Sequence, residues 1–527
     1  MKTSRLLFVI CFVLATIIFT SAVTSGKTVT ENTKLFDFVG EMKEAEKNLS
    51  IAAIHQQSIR VHFKTIDSLQ AEQIEIPLFD GEVFQAIRRE TEGFVQQNAD
   101  TFSWSGKIYG ENGWSGDVIL TVYKDALAGL IYAPTGVYSI IPQANGAHIL
   151  VEIDQSLFPE NDNDVDIFGG KGETNLFASE ANVLERTSEL FGDSAPNERN
   201  RQLAPQIDDG SLIDVMIVYT DDVRAFLGGT TQAVAFAQQA IAITNTAYQN
   251  SAITTRARLV HTMEVNYAEP SSNSTYLNFV RSNATIAAAR NTYKADVVGL
   301  LIETFTVGNC GIAGLMAKGE HNAGFESEGF SVSKRQCAVD NLTFPHEIGH
   351  NQGANHSPEN GLPQSQAVFP YAFGYYNLAA NFRTVMTYPE YCLNCPRVPY
   401  FSNPNINYNG VPTGIVNQRD NARTINNTAL VVSRFRDSLL PTAASVSVGG
   451  RVVTSGGRGI RRAVVQLTDQ SGDTRTAYTN SFGYFSFYDV RAGETYIISI
   501  SSKNYSFATQ VVSVNEELRE LNFTALP

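Results

Sequence analysis

The chain has 527 residues, 43% of them apolar and 17% charged, and a net charge of −14. That length exceeds one ordinary hydrophobic core and predicts roughly two to four domains, while the composition excludes a disordered chain. The acidic balance, with no Lys/Arg run, excludes a nucleic-acid partner, because phosphate binding needs a basic face.

At the N-terminus Lys2 and Arg5 precede an apolar run from Leu6 to Phe19, with Thr20 and Ala22 placed for a signal peptidase. The run is shorter than the ~20 residues a membrane-spanning helix needs. Residues 1–22 are therefore expected to be a secretory signal, with a retained anchor as the alternative. Cys11 lies inside the run and does not suggest a lipoprotein anchor. The expected location is extracellular, periplasmic or cell-surface, with no stable membrane insertion once the signal is gone.

Residues 23–160 begin with a charged stretch of helical character. They continue in alternating segments such as DTFSWSGKIYG, GDVILTVYKD and GVYSIIPQ, which predict antiparallel strands and a β-rich domain. A polar segment over 161–208, rich in Asp, Asn, Glu and Ser, reads as a linker open to proteolysis.

Residues 209–438 change pattern. IDVMIVYT, ARLVHTMEV and ADVVGLLIE read as buried strands, separated by helical stretches at TTQAVAFAQQAIAITNTAYQ and around TYLNFVRSNATIAAAR. Strand and helix alternate, which predicts an α/β unit with a mostly parallel sheet. With the signal removed, four cysteines remain, and they allow three pairings. Cys310 with Cys337 and Cys392 with Cys395 are the favoured disulfides. The Cys392-x-x-Cys395 spacing also fits half a zinc site or a redox motif, but no second ligand pair and no thioredoxin-like pattern accompanies it.

HEIGHNQGANH, residues 346–356, holds three of the eight histidines in the chain. On a helix His346 and His350 emerge on one face, a turn apart, where two imidazoles can share a metal ion. Glu347 adjoins them and can act as general base on a metal-bound water. A continued helix would carry His356 about 240° away from His350, so the helix must end between them. Gly353 is the residue able to end it, by accepting a positive φ. Three protein ligands leave an open fourth position, which characterises a catalytic zinc site and not a structural one. A shorter site using Glu359 or Glu390 as third ligand is the alternative. His55, His62, His148, His261 and His321 are scattered and read as structural or surface residues. Residues 445–527 return to short alternating strands with Gly, Asp and Asn turns, predicting a small β-sandwich.

HEIGHNQGANH matches the HExxHxxGxxH motif of the metzincin metallopeptidases, and FRTVMTYP matches their methionine-containing turn. CPRVPYFSNP and DNARTINNTALVVSRFR resemble the bacterial reprolysin-like members, in particular peptidyl-Asp metallopeptidases. The resemblance implies one catalytic zinc held by His346, His350 and His356, with Glu347 as base and Met386 beneath the site. Calcium is left open. It implies for Tyr388 either zinc binding or transition-state stabilisation, as in astacins and serralysins, with a packing tyrosine as the alternative. CGIAGLMA, followed by GFSVSK, would be the edge strand that aligns a peptide substrate. FSWSGKIYGENGWSGDVILTVY resembles a reprolysin-type propeptide. Residues 23–309 contain no cysteine, which excludes a cysteine switch. GRVVTSGGRGIRRAVVQLTDQSGDTRTAYTNSFGYFSF resembles carboxypeptidase regulatory-like sandwiches of transthyretin-like fold, which serve adhesion to a protein or surface, or stability.

The expected protein is thus a multidomain α+β chain: a β-rich propeptide, a metzincin catalytic domain with its active-site helix, and a transthyretin-like β-sandwich. The expected activity is a secreted, proenzyme-form zinc endopeptidase acting on protein or peptide substrates, with cuts beside Asp implied by the resemblance. The alternatives are an adhesion protein with a structural metal site and a zinc hydrolase of non-peptide amides. The intact Glu347 speaks against the first, because a structural site needs no base.

Overall fold

The computed structural model describes residues 33–44, 46, 49–67, 71–89, 101–158, 165–167, 208–269, 273–304, 309–392, 395–438, 445–469, 474–491, 494–514 and 518–526. The signal expected at 1–22 and nearly all of the linker expected at 161–208 lie outside the described residues.

The N-terminal region is built from β1 (Phe36–Glu44), β2 (Ala53–Val61), a short helix α1 (Phe63–Asp67), β3 (Gln73–Pro77), β4 (Val83–Arg88), β5 (Thr101–Tyr109), β6 (Ser115–Tyr123), β7 (Ala126–Ala133), β8 (Gly136–Pro142) and β9 (His148–Ile153). They form one antiparallel sheet in the order β1-β2-β9-β8-β7-β6-β5-β4-β3. The charged start expected to be helical is instead mostly the strand pair β1 and β2. β1 is an edge strand whose outer half is exposed, so Glu41, Lys43 and Glu44 mark a protected sheet edge and not a helix face.

Strands β6 to β9 are apolar on both faces. Val118, Leu120 and Val122 enter the N-terminal region's own core, while Ile119, on the other face, enters a second cluster. Leu130 and Tyr132, Val137 and Ile141, and Val151 and Ile153 join Ile119 there. That second cluster also contains Phe236, Ala240 and Ile243 of helix α3 (Thr230–Asn250). A helix with small and apolar residues all round is one buried between layers.

The α/β region follows, with β10 (Val165–Ile167), β11 (Leu212–Thr220), α2 (Asp221–Leu227), α3, β12 (Arg256–Val265), α4 (Asn273–Ser282), α5 (Ala284–Tyr293), β13 (Val297–Ile302), β14 (Gly311–Leu315) and β15 (Phe330–Lys334). Its sheet runs β10-β14-β15-β13-β11-β12. β12, β11, β13 and β15 are mutually parallel, β14 is antiparallel to β15, and β10 lies parallel along the other side of β14. Alternation in β11 sends Val215, Ile217 and Tyr219 toward α3, and Met216 and Val218 toward the cluster beneath α4 and α5. The second helical stretch is divided at Asn283, whose side chain accepts the amides of Thr285 and Ile286 and caps α5.

Helices α6 (Arg335–Ala338) and α7 (Thr343–Asn351) come next. Two short ladders, β16 (Tyr376–Asn377) with β17 (Phe382–Arg383) and β18 (Asn407–Tyr408) with β19 (Val411–Pro412), precede α8 (Asn421–Val432). Cys310 is bonded to Cys337, which ties the start of β14 to α6, and Cys392 is bonded to Cys395.

The C-terminal region contains β20 (Ser445–Val453), β21 (Val464–Thr468), β22 (Thr474–Tyr478), β23 (Tyr484–Arg491), β24 (Glu494–Ser501), β25 (Gln510–Val514) and β26 (Leu518–Thr524). They form two sheets, β23-β20-β26 and β22-β21-β24-β25, packed around a core of Val448, Val465, Leu467, Phe485, Ile498 and Phe523. Ser438 still belongs to the α/β region, because its amide and hydroxyl bind Asp208 and Asp214. A chain ending after Ser438 is therefore expected to keep its urea unfolding free energy within about 0.5 kcal/mol. A larger loss, followed by tryptophan fluorescence, would show that the two cores are coupled.

Candidate active site

Helix α7 carries TFPHEIGHN. Pro345 is tolerated because it lies in the first turn, where amides have no intrahelical partner. The helix stops at Gln352, and Gly353 follows at φ 81. Ala354 N–H then donates to Gly349 O and Gly353 N–H to His350 O, each at 2.9 Å. These two bonds close the helix in a Schellman turn. Beyond it, Asn355 N–H donates to Ala372 O, and Gly374 N–H donates to Asn355 O and His356 O. Anchored to that second strand of chain, His356 returns to the face that α7 presents.

The three imidazoles converge. Their Nε2 atoms lie 3.0, 3.1 and 3.2 Å apart, and all three rings are buried. His346 Nδ1 faces Val385 O at 2.8 Å, and His350 Nδ1 faces Ala354 O at 2.8 Å. A carbonyl can only accept, so in both rings Nδ1 carries the hydrogen and Nε2 presents its lone pair. Three nitrogens each bound to zinc at 2.0–2.1 Å with tetrahedral angles would be about 3.3 Å apart, close to the separations seen. The donor set therefore fits zinc. Among the described residues, these histidines are the group of His, Cys, Asp and Glu close enough to share an ion. Glu359 pairs with Arg419 at 2.7 Å and is not part of it, and neither is Glu390.

The turn from Thr384 to Tyr388 supports the triad from the other side. Val385 supplies the carbonyl that orients His346. Met386 is buried, and a Cβ added at Gly349 would lie 2.9 Å from its sulfur. The absence of a side chain at Gly349 is what lets the turn sit so close beneath α7. Tyr388 places its hydroxyl 3.2 Å from His356 Nε2, at the mouth of the triad. Two buried arginines hold the turn: Arg383 and Arg397 donate to Thr387 O at 2.8 and 3.1 Å. Arg397 also donates to Asn341 O at 2.7 Å, two residues before α7 begins. Burial pushes the Arg383 guanidinium well below its ordinary range. Backbone carbonyls, including Cys395 O at 3.0 Å, surround its nitrogens.

Glu347 is wholly buried, one residue from His346, with its carboxylate against β14. A Cβ added at Gly311 would fall on Glu347 Oε1, so a glycine is required there for the carboxylate to occupy its place. β14 then runs alongside α7, and the Met316 amide donates to His350 O at 3.1 Å.

The structure thus brings together His346, Glu347, His350, His356, Met386 and Tyr388. Gly311, Gly349, Asn355 and Arg397 belong to the same constellation and carry no sequence signal that singles them out. Their roles come from long-range contacts. The other histidines lie elsewhere: His55 pairs with Glu152, His62 with Asp37, and His148 accepts the Leu127 amide.

Comparison with known proteins gives two family matches. Residues 210–402 match metallo-peptidase family M12, and residues 447–525 match the carboxypeptidase regulatory-like domain. A peptidyl-Asp metalloendopeptidase of Xanthomonas campestris pv. campestris is 31% identical over 327 residues, covering 60% of this chain and 69% of the relative. Proteins of the same name from Stenotrophomonas maltophilia are 29% identical in strain R551-3 and 30% identical in strain K279a. Those alignments cover 69% and 62% of this chain, and 83% and 72% of the relatives.

Gly353→Ala is expected to strain the turn after α7, because a side chain at φ 81 is disfavoured and its Cβ would meet Val368 Cγ1 at 2.6 Å. The expected cost is about 1–3 kcal/mol in urea unfolding, together with weaker zinc retention during dialysis. Wild-type stability and zinc content in that variant would mean that the turn does not place His356.

Proposed function

We propose that this chain, which belongs to metallo-peptidase family M12 and is a zinc metalloendopeptidase, is secreted as a proenzyme and cuts peptide bonds with His346, His350 and His356 as zinc ligands and Glu347 as general base. The observation that carries this reading is the convergence of three imidazole Nε2 atoms beside a buried carboxylate.

A zinc ion held there would supply Lewis acidity at the scissile carbonyl and lower the pKa of a bound water. Glu347 takes the proton of the attacking water and returns it to the leaving amine nitrogen. Gly311 leaves the room in which that carboxylate is aimed. Tyr388 donates its hydroxyl hydrogen to the carbonyl oxygen as negative charge develops on it. Met386 excludes water beneath α7 and touches no reacting atom. The substrate lies extended along β14, pairing through its backbone. The name of the relatives points to cleavage beside Asp, and we extend that preference to this chain.

In this reading residues 1–22 are the export signal and 23–160 the propeptide domain. Residues 161–208 contain the processing site, and 209–438 form the catalytic domain. Residues 445–527 form a transthyretin-like module for attachment or stability.

Glu347→Ala is expected to lower kcat by 10²–10⁴ while one zinc per chain is retained, measured by peptide cleavage and atomic absorption. If the enzyme processes itself, that variant accumulates as precursor. If another protease cuts the linker, it matures and stays inactive. A matured Glu347→Ala protein cleaving at the wild-type rate would move the chemistry elsewhere. Tyr388→Phe is expected to lower kcat about tenfold with zinc unchanged, and unchanged kcat would assign Tyr388 to packing.

A further inference from the structure

We infer that the N-terminal domain is a permanent partner of the catalytic domain and stays bound after the linker is cut. This rests on the proenzyme reading, and the argument begins in α3. Gln232, Gln239 and Asn250 are spaced by 7 and 11 residues, which places them on one face of the helix. All three are buried, and each reaches the N-terminal domain. Gln232 donates to Gln143 O at 3.3 Å, Gln239 to Ile119 O at 2.9 Å, and Asn250 to Asp117 Oδ2 at 3.1 Å. Asn245, on the opposite face, exchanges hydrogen bonds with Ala257 of β12. The helix is therefore faced with specific partners on both sides.

The sheet makes the same statement. A domain meant to leave would turn a polar face outward, yet β6 to β9 present Ile119, Leu130, Tyr132, Ile141 and Val151 to the catalytic domain. Separation would expose those residues together with Phe236, a continuous apolar surface that soluble proteins rarely carry. The domain also reaches the active site. Gln155 Oε1 accepts the Arg397 amide at 3.0 Å, and the Tyr132 hydroxyl donates to Arg397 O at 3.2 Å. Arg397 in turn binds Thr387 O and Asn341 O, on the two segments that bracket the triad. Without the N-terminal domain, the backbone of Arg397 loses both bonds.

The test uses the full chain with site-specific protease sequences inserted on both sides of β10, within 161–164 and 168–207, so that cutting frees β10 from both domains. After cutting, the N-terminal and catalytic domains are expected to co-elute one to one in gel filtration and to unfold together in urea. A catalytic fragment that elutes alone, folded and monomeric, would overturn the proposal, and this is read without any assay of activity. In the cut enzyme, Gln155→Leu is expected to lower kcat/KM at least threefold with zinc content unchanged. A variant at the wild-type rate would overturn the link to Arg397.

A second observation, independent of the first, concerns latency. We propose that β10 is the element that blocks substrate. Val165, Asp166 and Ile167 pair with Ala313, Gly314 and Leu315 along the side of β14 opposite β15. This is the stretch between Gly311, against Glu347, and Met316, bonded to His350. A strand edge accepts one partner, so an extended substrate and β10 exclude each other there. Residues 23–309 hold no cysteine to occupy a metal, and occlusion of the edge by backbone needs none.

Successive amides of a strand point to opposite sides, so either the amides of Val165 and Ile167 or that of Asp166 face β14. Two uncut variants, Val165→Pro/Ile167→Pro and Asp166→Pro, therefore cover both cases. In at least one of them, amide exchange at Ala313–Leu315 is expected to be ten times faster than in the uncut wild type. The initial rate on a short peptide should rise by a similar factor. Exchange at the wild-type rate in both variants would overturn the proposal whatever the activity. An inactive cut wild-type enzyme would instead count against the endopeptidase reading.

Discussion

A histidine six residues after His350 shares a metal with it only if the helix between them ends, and Gly353 ends it at φ 81. The two bonds of that turn consume the carbonyls of Gly349 and His350, so the helix terminus needs no solvent. The carbonyl of Ala354, exposed by the same turn, orients His350. One change of backbone direction therefore sets the tautomer of the second histidine and the position of the third. The later segments supply what the turn alone does not, namely a register for His356 against Ala372–Gly374 and a floor at Met386.

The floor is held by charge in an unusual place. Arg383 and Arg397 are both buried, and their guanidinium groups converge on the carbonyl of Thr387. Fixed planar donors with several bonds each are more rigid than a hydrophobic contact of the same size. Asp340, nearby, is buried beneath Ser50 and Ser139, and burial pushes its carboxyl up to about 6. These polar groups link the N-terminal domain to the turn beneath the triad, beside the apolar core that the two domains share.

Local sequence carried the parts of this account that depend on local periodicity. His346 and His350 are related by one helical turn, Gly353 by the need for positive φ, and β11, β12 and β13 by short apolar runs. The break at Asn283 was legible in principle, since Asn is a preferred cap, but the apolar pattern runs across it. The parts that stayed hidden are tertiary. Gly311 and Gly349 matter because of what approaches them, Glu347 and Met386, from 36 and 37 residues away in the chain. Arg397 and Gln155 are 242 residues apart and look like ordinary polar residues. β1 reads as helical and is a strand, because charges on an edge strand and charges on a helix face look alike in a short window. GDVILTVYKD and GVYSIIPQ read as alternating strands with one apolar face, and the second apolar face of β6 to β9 has its reason in the tertiary structure, where α3 covers it.

The most direct test of the central claim is zinc K-edge X-ray absorption on the purified, zinc-loaded protein. The account predicts three imidazole nitrogens at about 2.0–2.1 Å and one oxygen ligand, with one imidazole lost in His356→Ala. A first shell containing sulfur at about 2.3 Å, or one unchanged in His356→Ala, would contradict it.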